Sequence, residues 1–435
     1  MTTTAYEDAF NALPTASGPS WLPGFRRDAF ARFSELGFPT TRDEDWHFTS
    51  VTPIAERTFK PVRAAPTTLI SADLAKHDFG SSKWHRLTFV NGRFERSLSA
   101  FAGLPAEVSV STLADALRET PEFVAEHLGK LTRSQAQTFT ALNTAFMHDG
   151  VVIHVPRGVV VEEPIHLIHV TDAHADGGSV HPRLLVVAEA QSEFAIVESY
   201  SGPDGTSYFT NAVAEIEVGD GARVHHYKIQ AEGTDAYHVG TTQVVQGRDS
   251  MYHSFSFSAG AALARTNVYS KLAGDGAEVR LNGLYLAERS QHTDHQTFVE
   301  HLAPACTSRE LYKGVLDGRS HGVFNGKVYV DPIAQKTDGK QSNHALRLSD
   351  EARVDTKPQL EIFADDVKCT HGATVGRLDQ TALFYLKSRG LPSDTARALL
   401  TFAFAAEVLE TIELDPLRLA LEEQVFERLT HMQQR

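Results

Sequence analysis

The phrase GDGARV, Gly219 to Val224, returns as GDGAEV at Gly274–Val279, as SDEARV at Ser349–Val354 and, in weaker form, as EAQSEF at Glu189–Phe194. Each copy is a tight turn followed by a small residue and then an apolar one, and strand-like runs such as AEIEV and HHYKI flank it. The intervals of 30, 55 and 75 residues are unequal but suit a whole number of coils with loops of variable length. Strand-turn units that cannot bury their own faces stack into a solenoid, so a β-helix is the expected core. A β-sandwich, whose turn signals also recur every 8 to 12 residues or so, is the competing architecture; the repeated turn phrase favours the helix.

The repeats lie in a longer stretch of one texture. From Gly150, starting VVIHVPRGVVVEEPIHLIHV, about 235 residues of β-branched and aromatic runs are broken by Gly, Asp and Asn. Residues 1–150 read as a mixed α/β region. There RRDAFARFSELG is a short helix with Gly37 placed to end it in a left-handed conformation. LTFVNGRFE, Leu87 to Glu95, sets Asn91-Gly92 between alternating apolar residues as a hairpin. LADALRETPEFVAEHLGKL and QTFTALNTAFMHDG return to helical spacing. After about Leu386 the chain turns helical again: Ser393 is placed to cap SDTARALLTFAFAAEVLETI, and Asp415-Pro416 opens DPLRLALEEQVFERLTHM. The expected organisation is therefore mainly β, with a core over 151–385 between an N-terminal region (1–150) and a C-terminal helical domain (386–435).

The 435 residues are 42% hydrophobic and 22% charged, which suffices for two or three cores. A formal charge of -14 argues against nucleic acid and anionic membranes as partners. No apolar run reaches the roughly 18 to 20 residues of a membrane span, and the acidic start MTTTAYEDAFNALPTASG lacks the basic and apolar regions of a secretory signal, so a cytoplasmic protein is expected. Two cysteines, Cys306 and Cys369, are expected to stay thiols and cannot make a four-thiolate metal site. Neither a GxxxxGK[ST] phosphate loop nor a GxSxG elbow occurs, so no ATP site is expected in this chain.

Four groups of residues could carry chemistry or contacts. In ADDVKCTHGATVG, Ala364 to Gly376, an extended backbone puts Val367, Cys369 and His371 on one face. A thiolate beside an imidazole has a lowered pKa and is a better nucleophile and metal ligand. Two ligands are half a site, so the pair is either core filling or part of a site completed by a second chain. QHTDHQTFVEH holds His292, Asp294, His295 and His301, either a metal site or a hydrogen-bonded interface; alternation puts His292 and Asp294 on one face and His295 on the other. Asn325, Gln335, Lys336, Gln341 and Asn343 suit amide ladders and solvated turns, or the polar face of an enzyme acting on acidic polysaccharide. Finally, Leu399, Leu400, Phe402, Phe404, Val408, Leu409 and Ile412 surround their helix. Such a helix needs cover on two sides, from the β-domain and a partner protein or wholly from its own chain.

ELYKGVLDGRSHGVFNGKVYVDPIAQKTDGKQSNHALRLS, TKPQLEIFADDVKCTHGATVG and LDQTALFYLKSRGL, in that order, closely resemble the SufB/SufD family of iron-sulfur cluster assembly scaffolds. The match is strongest over about Leu281–Gly390 and reaches back to WHFTS around Trp46. Thr370 and Gly372, where SufB-type chains carry acidic residues beside the shared histidine, put the sequence on the SufD side. The resemblance implies a right-handed parallel β-helix, a heterodimer with SufB, and docking of the ATPase SufC on the C-terminal helices, with Leu399, Phe402, Phe404, Val408, Leu409 and Ile412 as partner-binding residues. It implies no catalysis by this chain and a transient Fe-S cluster held by Cys369 and His371 together with SufB. Flavin binding is implied for the complex, without a motif here to place it, and a homodimer is compatible with the sequence when SufB is absent. Gly339 stands where the family more usually has alanine, and Cys306 has no assigned chemistry. A stand-alone β-helix enzyme and a purely structural subunit without cluster contact are the alternatives.

Overall fold

The computed structural model describes residues 4–13, 18–62, 67–77, 79, 83–101, 103–132 and 137–433, so part of the acidic start read above lies outside the described residues. From Gly150 to Gly376 the chain winds as a parallel β-solenoid of about eight turns. Each turn lays one strand in each of two sheets, and strands of successive turns pair in register. Glu193 lies beside Arg223, then Met251, Glu278, Thr307, Asp338 and Lys368, which sets a coil length of 27 to 31 residues.

The repeated phrase is one corner of this solenoid. Gln191, Gly221, Asp249, Gly276, Ala305 and Lys336 occupy the same corner position in successive coils, and all have positive φ, between 52° and 71°. Each donates its backbone N–H to a carbonyl of the next coil's corner, at 2.6–3.1 Å. The following residue, Ser192, Ala222, Ser250, Ala277, Cys306 or Thr337, is buried under the corner in every case. Cys306 is thus a small-residue slot in a stack, and burial pushes its thiol pKa up to about 11. Glycine tolerates positive φ without a Cβ clash, so the repeat is plain only in the two coils that use it. SDEARV lies between the strands Asp338–Arg347 and Arg353–Ile362, at the opposite corner, and its 75-residue interval is not a whole number of coils. Both corners must turn tightly and bury a small residue, here Ala352, so they share a sequence signature.

Alternation along each strand separates two environments. Inward residues such as Ile196, Val224, Leu281 and Val328 form one continuous core. Outward residues of one sheet, among them Phe255, Phe257, Leu284 and Leu286, pack under the C-terminal helices Ser393–Leu409 and Asp415–Gln433. Outward residues of the other, Phe209, Tyr237 and Leu263, pack under the N-terminal helices Leu22–Leu36 and Thr138–Phe146.

The two ends differ. At the N-terminal end, Ser109–Thr112 pairs antiparallel with Gly150–Val155, and the hairpin strand Arg93–Phe94 pairs antiparallel with His85–Val90. Asn91 and Gly92 turn that hairpin with φ of 51° and 75°, as the alternation predicts. The N-terminal region therefore builds the first coil's cap as well as the flanking helices. At the C-terminal end, Arg353–Ile362 and Lys368–Gly376 are the last strands of their sheets, with no coil beyond.

Local details differ from the sequence reading in three places. The helix Leu22–Leu36 begins ahead of the predicted segment, and Gly37 ends it with φ 65° but an extended ψ of -175°. Strands stop at Gly376 and a helix covers Gln380–Ser388, so helical structure resumes before Leu386. Ser393 is the first residue of its helix and not its cap; Pro392 takes the cap position with no side-chain hydrogen bond.

The corners yield a stability comparison. In Gly221→Ala the new Cβ meets nothing closer than Gln191 Cγ at 3.5 Å, leaving only the positive-φ penalty of about 1 kcal/mol. In Gly274→Ala the Cβ would lie 2.2 Å from the backbone nitrogen of Arg248. Gly274→Ala should lower the thermal midpoint by several times the Gly221→Ala shift, read by circular dichroism.

Candidate functional site at the open end of the solenoid

The strand Lys368–Gly376 pairs on one side only, with Cys369 beside Gly339 and His371 beside Gln341. Cys369, His371, Ala373 and Val375 follow the inward-facing register of the preceding strand. Cys369 is half-buried against the last of the interior core, whereas His371 is exposed because no further coil covers it. The expected one-face alignment of thiol and imidazole is present. Gly339 lies under the thiol: a Cβ there would meet Cys369 Sγ at 3.4 Å and Ser308 Oγ at 3.3 Å, so alanine fits with little adjustment.

The expected activation of the thiol is not present. Burial raises the Cys369 pKa, a hydrogen bond from the Gly339 backbone offsets part of this, and the Asp338 carboxylate adds to it. The groups acting on the thiol are those of Gly339 and Asp338, and the imidazole two residues on is not among them. In the isolated chain Cys369 is a protonated thiol at neutral pH.

Behind His371 the same interior file continues through Gln341 to Glu310. Thr297 Oγ1 donates to Glu310 at 2.5 Å and Gln341 Nε2 donates to it at 3.0 Å. Burial nevertheless pushes the Glu310 pKa up to about 7. Gln341 Oε1 and Asn343 Oδ1 have no partner although buried. Glu310 opens the ELYKG segment, but sequence alone does not show whether it faces inward or outward.

The other candidates serve the architecture. His292 and Asp294 project outward and hold the segment around Trp46: Thr49 Oγ1 lies 2.9 Å from His292 Nε2 and donates to Asp294 Oδ2 at 2.6 Å. Arg265 donates to Asp294 at 2.7 Å and stacks 3.7 Å from the Trp46 ring centroid. His295 and His301 turn inward, to Ser258 and Ser308, so these four residues do not converge on an ion; His292 and Asp294 form the hydrogen-bonded contact. Gln335 lies in a corner, accepting from the Asp366 N–H at 2.9 Å.

In the helix Ser393–Leu409 and just after it, Val408, Leu409 and Ile412 are buried against the solenoid and the last helix. Leu399, Phe402 and Phe404 are half-buried, so only these three of the six residues offer surface to another protein. The preceding helix, Gln380–Ser388, exposes Phe384 at 72% and Tyr385 at 56%. Its apolar pattern lies within LDQTALFYLKSRGL, yet which side faced solvent depended on packing.

A buried carboxyl with a raised pKa has a stability signature. Below about pH 4.5 Glu310 is protonated in both states; as pH rises towards 7 the unfolded chain ionises first and stability falls, by up to about 3 kcal/mol. Glu310→Gln removes this loss. The thermal midpoint of the wild type should fall relative to that of the variant between pH 5 and 7.5, and parallel curves would refute the assignment.

Comparisons with known proteins identify the family. Residues 169–404 match the SufBD core domain of the SUF system for FeS cluster assembly, and residues 3–167 match the SufBD protein N-terminal region. The chain is 34% identical to an iron-sulfur cluster assembly SufBD family protein of Synechocystis, over 94% of this chain and 91% of the relative. It is 33% identical to the iron-sulfur cluster assembly protein SufD of Escherichia coli over 90% of each, and 26% identical to SufD of Bacillus subtilis over 91% of each. With both domain models covering nearly its whole length, the chain belongs to the SufBD family of iron-sulfur cluster assembly proteins.

Proposed function

We propose that this chain is the SufD-type scaffold subunit of a cytoplasmic iron-sulfur cluster assembly complex, and that its open solenoid end joins a SufB subunit. The observation that carries this reading is the uncapped last coil, which puts Cys369 and His371 on a free sheet edge. Two free edges with unpaired N–H and C=O groups are a template for another chain. Ile362, Phe363 and Val375 are exposed there, as apolar residues awaiting cover are. Pro358 has no N–H to offer along one edge strand; Lys368–Gly376 contains no proline, making it the better strand to continue into a partner.

One thiol and one imidazole cannot hold a cluster, so partner residues would complete the shell around the nascent Fe-S cargo. A cation brought near Cys369 would also favour its thiolate. The chain carries no phosphate loop, and ATP hydrolysis is assigned to SufC, docked on the C-terminal helices. These helices grip the solenoid flank: Lys313 pairs with Glu407 and donates to the Phe404 carbonyl at 2.8 Å, and Arg428 donates to the Ala259 carbonyl at 2.9 Å. Movement of the ATPase would thereby reach the sheet that carries Cys369, driven by its different affinity for two arrangements of the scaffold. Among the described residues no helix is long and apolar enough to cross a membrane.

Anaerobic reconstitution with SufB and SufC tests the cluster role. Cys369→Ala and His371→Ala should assemble normally yet yield less iron and sulfide per complex; full yield from both would leave this chain structural. For docking, Phe384→Asp should reduce SufC co-purification without unfolding the chain, since the side chain is exposed. Leu409→Asp is unsuitable, because burying a carboxylate at a fully covered position destabilises the fold itself.

A further inference from the structure

Far from the open end, on the flank under the C-terminal helices, three side chains converge that the cluster chemistry does not use. His225 and His253 are register partners on adjacent strands, both facing outward, with ring centroids 5.3 Å apart and planes at 87°. Glu413 reaches them from the linker between the helices Ser393–Leu409 and Asp415–Gln433. Its carboxylate lies 3.8 Å from His225 Nδ1 and 3.5 Å from His253 Nδ1. The three ligand atoms all fall within 4.8 Å of one another, the one such group among the described residues.

These separations are too long for hydrogen bonds and suit ligands around an ion. Nitrogen and oxygen ligands about 2.0–2.1 Å from a tetrahedral zinc are about 3.3 Å from each other. The outer partner needed by a ligating histidine is also in place. His253 Nε2 lies 3.2 Å from Glu278 Oε1, which fixes the proton on Nε2 and leaves the Nδ1 lone pair facing Glu413. Arg280 Nε holds the same Glu278 oxygen at 2.6 Å. Glu413 is itself positioned, since Ile412 is buried and Leu414 packs beside it, and the Tyr227 hydroxyl bonds to the backbone at Glu413 and Leu414.

We infer that His225, His253 and Glu413 form a two-histidine, one-carboxylate site for a divalent first-row metal, Zn2+ or Fe2+, with a coordination position left open. Bound metal ties the turn between the last two helices to the solenoid flank.

The test uses the full chain carrying Cys369→Ser and His371→Ala, so that failure here is separate from failure at the open end. Anaerobic calorimetric titration with Zn2+ and with Fe2+, and metal analysis after dialysis, should give one bound equivalent of at least one ion. Glu278→Gln, which leaves all three ligands, should weaken binding on the order of 10- to 100-fold. Glu413→Gln and His253→Ala should weaken it at least as much. Glu413 is exposed, so its variant keeps the fold and remains informative if His253→Ala does not. No binding of either ion, or binding unchanged in Glu413→Gln, overturns the site.

Discussion

Backbone hydrogen bonds that pass from one coil to the next are the constraint on which this molecule depends. Each strand satisfies its N–H and C=O groups only through its two neighbours, so a solenoid of parallel strands has an unsatisfied layer at each end. Here the first layer is closed by antiparallel pairing, with Ser109–Thr112 on one sheet and Arg93–Phe94 on the other. The last layer is left open, and it is the layer that carries Cys369 and His371. Position in the stack, more than the two residues themselves, makes them a candidate site.

The same stacking decides the electrostatics. Inward positions are desolvated in every coil except the last, so charged groups placed there either find partners or lose their charge. Glu198 is buried with His226 at 2.7 Å and the Tyr200 hydroxyl at 2.6 Å, and those partners with Lys228 hold its carboxyl below the usual range. Glu310 has only neutral partners and moves the other way. Cys369 sits at the boundary: near enough to the core to be desolvated, near enough to the edge for a second chain to change that.

On the outer faces, helices take the place of the missing third layer. Successive residues of RVHHYKI alternate between the interior, where His226 meets Glu198, and the flank, where His225 and Tyr227 meet the turn at Glu413. One strand thereby links the core to the C-terminal helices. The helix Ser393–Leu409 is apolar around most of its circumference because its own solenoid takes Val408 and Leu409, leaving Leu399, Phe402 and Phe404 at the margin.

Turn chemistry, strand alternation and the pairing of thiol with imidazole on one strand are local properties, and residues separated by one or two positions determine them. The solenoid, the hairpin at Asn91-Gly92, the shared face of Cys369 and His371, and the opposed faces of His292 and His295 were all legible for that reason. Coils whose positive-φ corner uses Ala305 or Lys336 were not, since those residues carry no turn signature, and SDEARV shares its signature with the opposite corner because both corners need the same residues. Tertiary structure alone decided that Cys369 is desolvated, that Glu310 and Gln341 stand behind His371, and that Glu413 reaches two histidines far from it in sequence. Burial and proximity are set by what packs from distant parts of the chain, and no local spacing encodes them.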